Sequence, residues 1–282
     1  MRPVSDMPTE VAAQVRCVLT DIDGTLTTDG RLPANVYNTL EELQEAGLAV
    51  APITGRPAGW CDMIARFWPV AGVVGENGAF YFAYDHAVRR MRRVFAADEA
   101  SRNRNRGRMD DIRRRVLAEV PGAAVAADQA YRETDLAIDF REDVDPLPEA
   151  SVDRIKAIFE DAGAVAKISS IHVNGWFGDY DKLSMTRRFA ADVLGADMDA
   201  EEESFVFCGD SPNDAPMFAF FSNSCGVANV RDFAGRIDAE PAWVAHARDG
   251  DGFIEIATIV LKARTGAPAR PPGRQPTREE GP

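Results

Sequence analysis

Residues 15–30, VRCVLTDIDGTLTTDG, carry an apolar run straight into two carboxylates, a glycine and a threonine. Cys17, Val18 and Leu19 read as a strand without a polar face, the pattern of a strand covered on both sides. Asp21 and Asp23 emerge at its carboxyl end and, two residues apart, tend to point the same way. Two carboxylates held together repel, so the pair needs a cation, a shared proton or a chemical task.

Outward from this stretch the same rhythm repeats. PANVYNTLEELQEAG (33–47) places Val36, Leu40 and Leu43 on one helical face and ends near Gly47; LAVAPI (48–53) is a second apolar strand, followed by TGRP and a helix through Ile64 and Phe67. GVVG (72–75) reads as a third strand, and the pattern returns late with SFVFC before Gly209, CGVA near 225 and AWVA near 242. Such strands between helices predict an α/β, Rossmann-like parallel sheet. From about 85 to 181 the texture changes: two amphipathic helices, DDIRRRVLAEV and SVDRIKAIFEDAG, alternate with DLAIDF and IHVNGW, whose period of two predicts a sheet with one open face. That segment reads as an inserted α+β domain. The Pro, Gly and Arg-rich tail, 266–282, reads as disordered.

In an open parallel sheet, ligands bind beyond the carboxyl ends of the strands. DIDGT, TGR and GDSPND all fall at such ends, and Lys182 opens a helix after the insertion. Carboxylates, a hydroxyl and an ammonium converging on one crevice suit a Mg²⁺ ion with a phosphoryl group, since Mg²⁺ takes hard oxygen ligands and phosphoryl oxygens take cationic and N–H donors.

DIDGTL, ITGR, Lys182 in DYDKLSM and GDSPND, in that order, resemble the four motifs of the haloacid dehalogenase-like phosphatases over about residues 15–265. The insertion and GENGA (75–79) resemble the subgroup with an α+β cap, similar to sucrose-phosphatase and Cof-like sugar phosphatases. The resemblance implies a core of 1–84 and 182–265, a cap of 85–181 that sets specificity, and a Mg²⁺-dependent phosphatase acting on a small phosphate ester, a sugar phosphate first. It further implies that Asp21 is the nucleophile and Asp23 the acid and base, and that Asp21, the Asp23 carbonyl, Asp210 and Asp214 hold the metal. Thr54, Lys182 and N–H groups around Gly24 and Gly55 would take phosphoryl oxygens, with Arg56 and Asn213 near substrate or a metal water. A phosphomutase shares these motifs, and phosphoglycolate stays open as the substrate. A receiver domain lacks the DxDGT spacing and such a cap, and a glycosyltransferase DxD leaves TGR, Lys182 and GDSPND unexplained.

Within the insertion, Ile171 and Val173 are expected to face the cap helices, leaving His172 and Asn174, with Arg132, toward the substrate's leaving group. Residues 89–115 hold eleven arginines against four acidic residues, the mark of a solvated face or of a surface that steers anions. The whole chain is acidic, with a formal net charge of -13, which argues against nucleic acid as the principal partner. Its 282 residues, 45% hydrophobic, suffice for two cores. The four cysteines match no metal spacing and read as reduced core thiols. The first residues lack a signal-peptide pattern and no apolar run spans a bilayer, so a cytoplasmic protein is expected, its oligomeric state undetermined.

Overall fold

A computed structural model describes residues 1–265; the tail expected to be disordered, 266–282, lies outside the described residues. A six-stranded sheet runs in the spatial order Arg2–Pro3, Trp243–Val244, Ser224–Gly226, Phe205–Gly209, Cys17–Thr20, Ala49–Pro52, with every neighbouring pair parallel. Alternate residues serve opposite faces. Val18, Val206 and Cys208 pack with Val36, Leu40, Phe253 and Val260, whereas Cys17, Leu19, Phe205 and Phe207 pack with Met185, Phe189, Met217 and Phe218. Helices thus cover both sides, which is why these strands show no polar alternation. The chain order reverses between Cys17–Thr20 and Phe205–Gly209, opening a crevice past their carboxyl ends. All four cysteines are buried and free, and no helix among the described residues is long and apolar enough to cross a membrane.

Val73–Gly75 keeps the expected parallel direction beside Ala49–Pro52 but belongs to a separate sheet. It heads a three-stranded antiparallel sheet with Phe80–Asp85 and Arg90–Phe95, touching the central sheet through a single Ile53–Val74 bridge. The arginine-rich strand Arg90–Phe95, read from the sequence as part of the insertion, is therefore hydrogen-bonded to Phe80–Asp85 at the edge of this sheet.

Beyond it, Ala124–Val125, Leu136–Asp139, His172–Trp176 and Val165–Ile168 form a second antiparallel sheet in that order. Helices Glu99–Glu119 and Glu149–Asp161 pack on one face, through Ile112, Val116, Ile155 and Phe159 against Ile138, Val173 and Trp176. The opposite face, expected to be open, is covered by the parallel domain: His172 and Asn174 are 3% and 2% exposed. Ile171 does not join Val173 under the helices. It stands one residue before its strand and lines the crevice instead.

Candidate active site

Asp21 follows the Cys17–Thr20 strand by one residue, and its N–H donates to the Cys208 carbonyl at 2.8 Å, so the ladder continues to the point where its carboxylate meets the crevice. Lys182 begins the helix Lys182–Phe189. Asp181 caps that helix, accepting from the Ser184 N–H at 2.7 Å while the Ser184 hydroxyl accepts from the Asp181 N–H at 3.0 Å. The cap fixes the first turn and sends Lys182 inward, where its Nζ donates to Asp21 Oδ1 at 2.8 Å and Asp214 Oδ1 at 2.7 Å. Gly78, at φ +102°, makes this approach feasible: a Cβ there would lie 1.9 Å from the Asp181 carbonyl oxygen.

Asp214 is fixed from its other side, Oδ2 accepting the N–H groups of Asp210 at 3.0 Å and Ser211 at 3.2 Å. Carboxylate oxygens of Asp21, Asp210 and Asp214 lie within 4.8 Å of one another, and Asp210 Oδ1 is buried without a hydrogen-bond partner. Burial pushes the Asp21 carboxyl up to about 7, against the pull of Lys182 and with help from Asp214 and Asp23. Burial, then Asp21 and Asp214, drives Asp210 well above the carboxylate range. Were all three carboxylates ionised, the one ammonium would leave two negative charges unbalanced, which is what burial resists in the absence of a cation. Hard oxygen donors, an orphaned oxygen and a deficit of two charges fit a divalent cation such as Mg²⁺. A Cβ on Gly24, at φ +74°, would come within 2.5 Å of Asp210 Oδ2, so glycine keeps this approach open.

The Thr54 hydroxyl is buried and accepts the Arg56 N–H at 3.1 Å, which leaves its own proton to donate. Gly55 lines a small pocket with Asp21, Asp23, Arg56, His172, Asn174 and Asn213. The Gly24 N–H, expected to face a phosphoryl oxygen, instead donates to Thr27 Oγ1 at 3.0 Å. Asn213 donates to Asn77 Oδ1 at 3.1 Å and accepts from Ser211 at 2.8 Å. Asn77 and its neighbour Glu76 both hold positive φ, 54° and 44°, a costly backbone for residues with a Cβ.

Arg56 does not stand free for substrate. Its Nε and Nη2 fork onto Asp23 at 2.6–3.0 Å, and Nη2 also reaches Glu142 Oε1 at 2.6 Å. His172 Nε2 lies 2.9 Å from Glu142 Oε2, at ion-pair distance but out of line for a hydrogen bond. Ser170 donates to the Asp23 carbonyl at 3.3 Å. Asn174 lines the small pocket and donates to Asp135 at 2.9 Å.

Arg132, expected beside the leaving group, is corrected by the structure. Its side chain is fully buried, paired with Asp128 and Asp135 and donating to the Gly55 carbonyl at 2.9 Å, and it does not line the small pocket. Asp128 and Asp135, four residues before and three after, claim the guanidinium first. Next to it, the Glu76 carboxylate accepts N–H groups from Ala58, Glu133, Thr134 and Asp135 at 2.7–3.3 Å, and the Thr134 hydroxyl.

Sequence reading passed over Glu142, Ser170 and Glu76; Glu142 sits in an acidic loop, REDVD, that looks like surface. A cleft of about 600 Å³ runs outward from Asp23 and Asp210 between the two domains, walled by Phe140, Ile168, Ile171 and Phe233. Arg236, which lines it, pairs across to Glu149 at 3.1 Å and Asp153 at 2.8 Å. The arginine run is largely occupied: Arg93 pairs with Asp62, Arg113 with Asp110, Arg115 with Glu119 and Asp161, and Arg102 and Arg108 lie over Phe95 and Phe177.

Residues 18–98 match the family model described as haloacid dehalogenase-like hydrolase. A phosphoglycolate phosphatase of Methanospirillum hungatei is 24% identical over 249 residues, covering 86% of this chain and 95% of that protein. Among solved structures, the C-terminal domain of the C. albicans trehalose-6-phosphate phosphatase shares the fold at a TM-score of 0.67 and 17% identity, covering 93% of this chain and 98% of that one. The sucrose-phosphatase of Synechocystis sp. PCC6803 does so at 0.58 and 15%, covering 87% and 98%. A parallel sheet whose strand ends bring Asp21, Lys182, Asp210 and Asp214 together, with an α+β cap over them, accompanies the match of residues 18–98 to the haloacid dehalogenase-like hydrolase model and the fold shared with these phosphatases.

Proposed function

We propose that the chain is a Mg²⁺-dependent phosphatase of small phosphate monoesters, a phosphorylated sugar first among them, working through an aspartyl-phosphate. One observation carries this reading: Lys182 bridges Asp21 and Asp214 at the reversal point of the sheet, beside an unpartnered Asp210 oxygen. A free Asp21 oxygen attacks phosphorus, the bond to the leaving oxygen breaks, and Asp23 gives that oxygen a proton. Asp23 then takes a proton from water, whose oxygen attacks phosphorus and releases phosphate and Asp21. Lys182 and the Thr54 hydroxyl hold phosphoryl oxygens through both displacements. When bound by Asp21, the Asp23 carbonyl, Asp210 and Asp214, Mg²⁺ supplies the positive charge that the carboxylates and the phosphoryl group both need.

Residues 1–84 and 182–265 do the chemistry in this reading, and 85–181 choose the leaving group. Size favours a sugar. The cleft of about 600 Å³ greatly exceeds what a two-carbon glycolate fills, although the M. hungatei relative is named for phosphoglycolate. The test is a panel of phosphate esters, including sugar phosphates, phosphoglycolate and nitrophenyl phosphate, assayed with Mg²⁺, Ca²⁺ or EDTA. Hydrolysis with Mg²⁺, little with Ca²⁺ and none with EDTA is expected; full activity in EDTA, or no ester cleaved, refutes the reading.

A further inference from the structure

We propose that Glu142 is a cap-borne positioning residue, sharing the Arg56 guanidinium with Asp23 and so tying the placement of Asp23 to closure of the cap over the cleft. This rests on the phosphatase reading above and adds to it a residue that reaches the acid–base group from the other domain.

Three features show a built contact. First, the loop carrying Glu142 is wound around one buried carboxylate: Asp139 accepts the N–H groups of Arg141 at 2.9 Å, Glu142 at 2.8 Å and Asp143 at 2.8 Å. Asp139 is itself the strand partner of His172, whose Nε2 stands 2.9 Å from Glu142. Backbone and side chain of the neighbouring strand thus aim Glu142 at a single place. Second, the guanidinium it meets has little freedom. Trp60 lies against it, 4.4 Å from Cζ to ring centroid, Asp23 takes Nε and Nη2, and Asp128 takes Nη1 at 3.4 Å. Third, Arg56 is 4% exposed and Asp23 and Glu142 are 15% and 26% exposed, so the donor side of the shared bonds is shielded from bulk water, which favours fixed geometry in charge-assisted pairs. Burial raises the Glu142 pKa, but His172 and Arg56 outweigh it and hold the group down to about 2, ionised across the neutral range.

Nη2 is the shared donor, 2.6 Å from Asp23 and 2.6 Å from Glu142. With Glu142 present, the guanidinium is stretched between the domains and Asp23 is held where Arg56 puts it. Should the cap lift, Nη2 loses one anchor, and Arg56 and Asp23 move as a pair without it. Proton delivery to a leaving oxygen is steep in distance, so a displaced Asp23 costs turnover only where the leaving group needs the proton. An alkoxide needs it; nitrophenolate does not.

The experiment compares Glu142→Gln, which keeps the shape and removes the charge, with wild type on a sugar phosphate and on nitrophenyl phosphate, both with saturating Mg²⁺. It is repeated in an Arg56→Ala background. Expected is a fall in kcat of about 10- to 100-fold on the sugar phosphate against less than about 3-fold on the nitrophenyl ester. No further loss is expected once Arg56 is absent, because the effect passes through it. Equal losses on the two esters, or a full additional loss in the Arg56→Ala background, overturn the proposal while leaving the phosphatase reading in place. A wild type that cleaves neither ester removes both. Glu142 stands at a partly exposed position, and unchanged far-ultraviolet circular dichroism in the variant excludes a folding defect as the source of either pattern.

Discussion

Replacing Lys182 with Met removes an ammonium whose side chain is 1% exposed, from between Asp21 and Asp214, at 6% and 0%. Met fills most of the same volume, so the change is one of charge more than of packing. Removing one partner of a buried ion pair costs about 3–5 kcal/mol, because the remaining charge stays desolvated without compensation. In a chain of this size each kcal/mol shifts Tm by about 2–4 °C, so the variant should melt roughly 6–20 °C below wild type in EDTA. Mg²⁺ should recover more of that loss in the variant than it adds to wild type, since the cation offsets the same carboxylates. Turnover should fall by about 10²–10³-fold or more through the lost phosphoryl contact. Differential scanning fluorimetry across a Mg²⁺ titration reads the first two effects and steady-state kinetics the third. A Tm within about 2 °C of wild type in EDTA, or an equal Mg²⁺ response in both proteins, would refute the assignment of Lys182 as the charge that balances the cluster.

Asp21→Asn should abolish turnover and the appearance of labelled phosphate on the protein while leaving the fold intact; near-normal activity, with mass spectrometry showing that the amide persists, would remove Asp21 as nucleophile. Glu142 carries a pH prediction. Its folded pKa, held at about 2 by His172 and Arg56 despite burial, lies below the ordinary glutamate value, so its stabilising contribution is present above about 4.5 and fades as pH falls toward 2. The Tm difference between wild type and Glu142→Gln should therefore shrink across that window; a difference that grows on acidification would contradict the sign.

Much of this molecule could be read from its residues, and the reason lies in local chemistry. Cys17–Thr20 and Phe205–Gly209 are buried at every position, so the unbroken apolar runs report burial on both faces directly. Polar groups placed just past such strands had one place to go. Arg90–Phe95 was hidden by its own charge: four positions across it and its flank look solvated, yet each residue pairs across to Phe80–Asp85. Arg132 was misread although its two carboxylate neighbours stood within four positions in the sequence. Glu142 was not legible at all, because its aim depends on Asp139, whose strand partner His172 lies 33 residues further along the chain. Pairing of that range leaves no trace in local periodicity.

The attachment of the cap is lopsided, with a consequence for traffic through the enzyme. At one corner the buried Glu76 carboxylate gathers four donors from the partly buried Glu133 and Thr134 and the buried Asp135, and separating them would strand a carboxylate and several amides together. At the far edge, Arg236 meets Glu149 and Asp153 as partly exposed ion pairs, each worth about 0–1 kcal/mol. A motion that spares the strong corner and breaks the weak edge is a swing, like a door on its jamb. Its free margin carries Arg236, which lines the cleft, so a ligand of the proposed kind would pass that residue while the Glu76 corner stays joined.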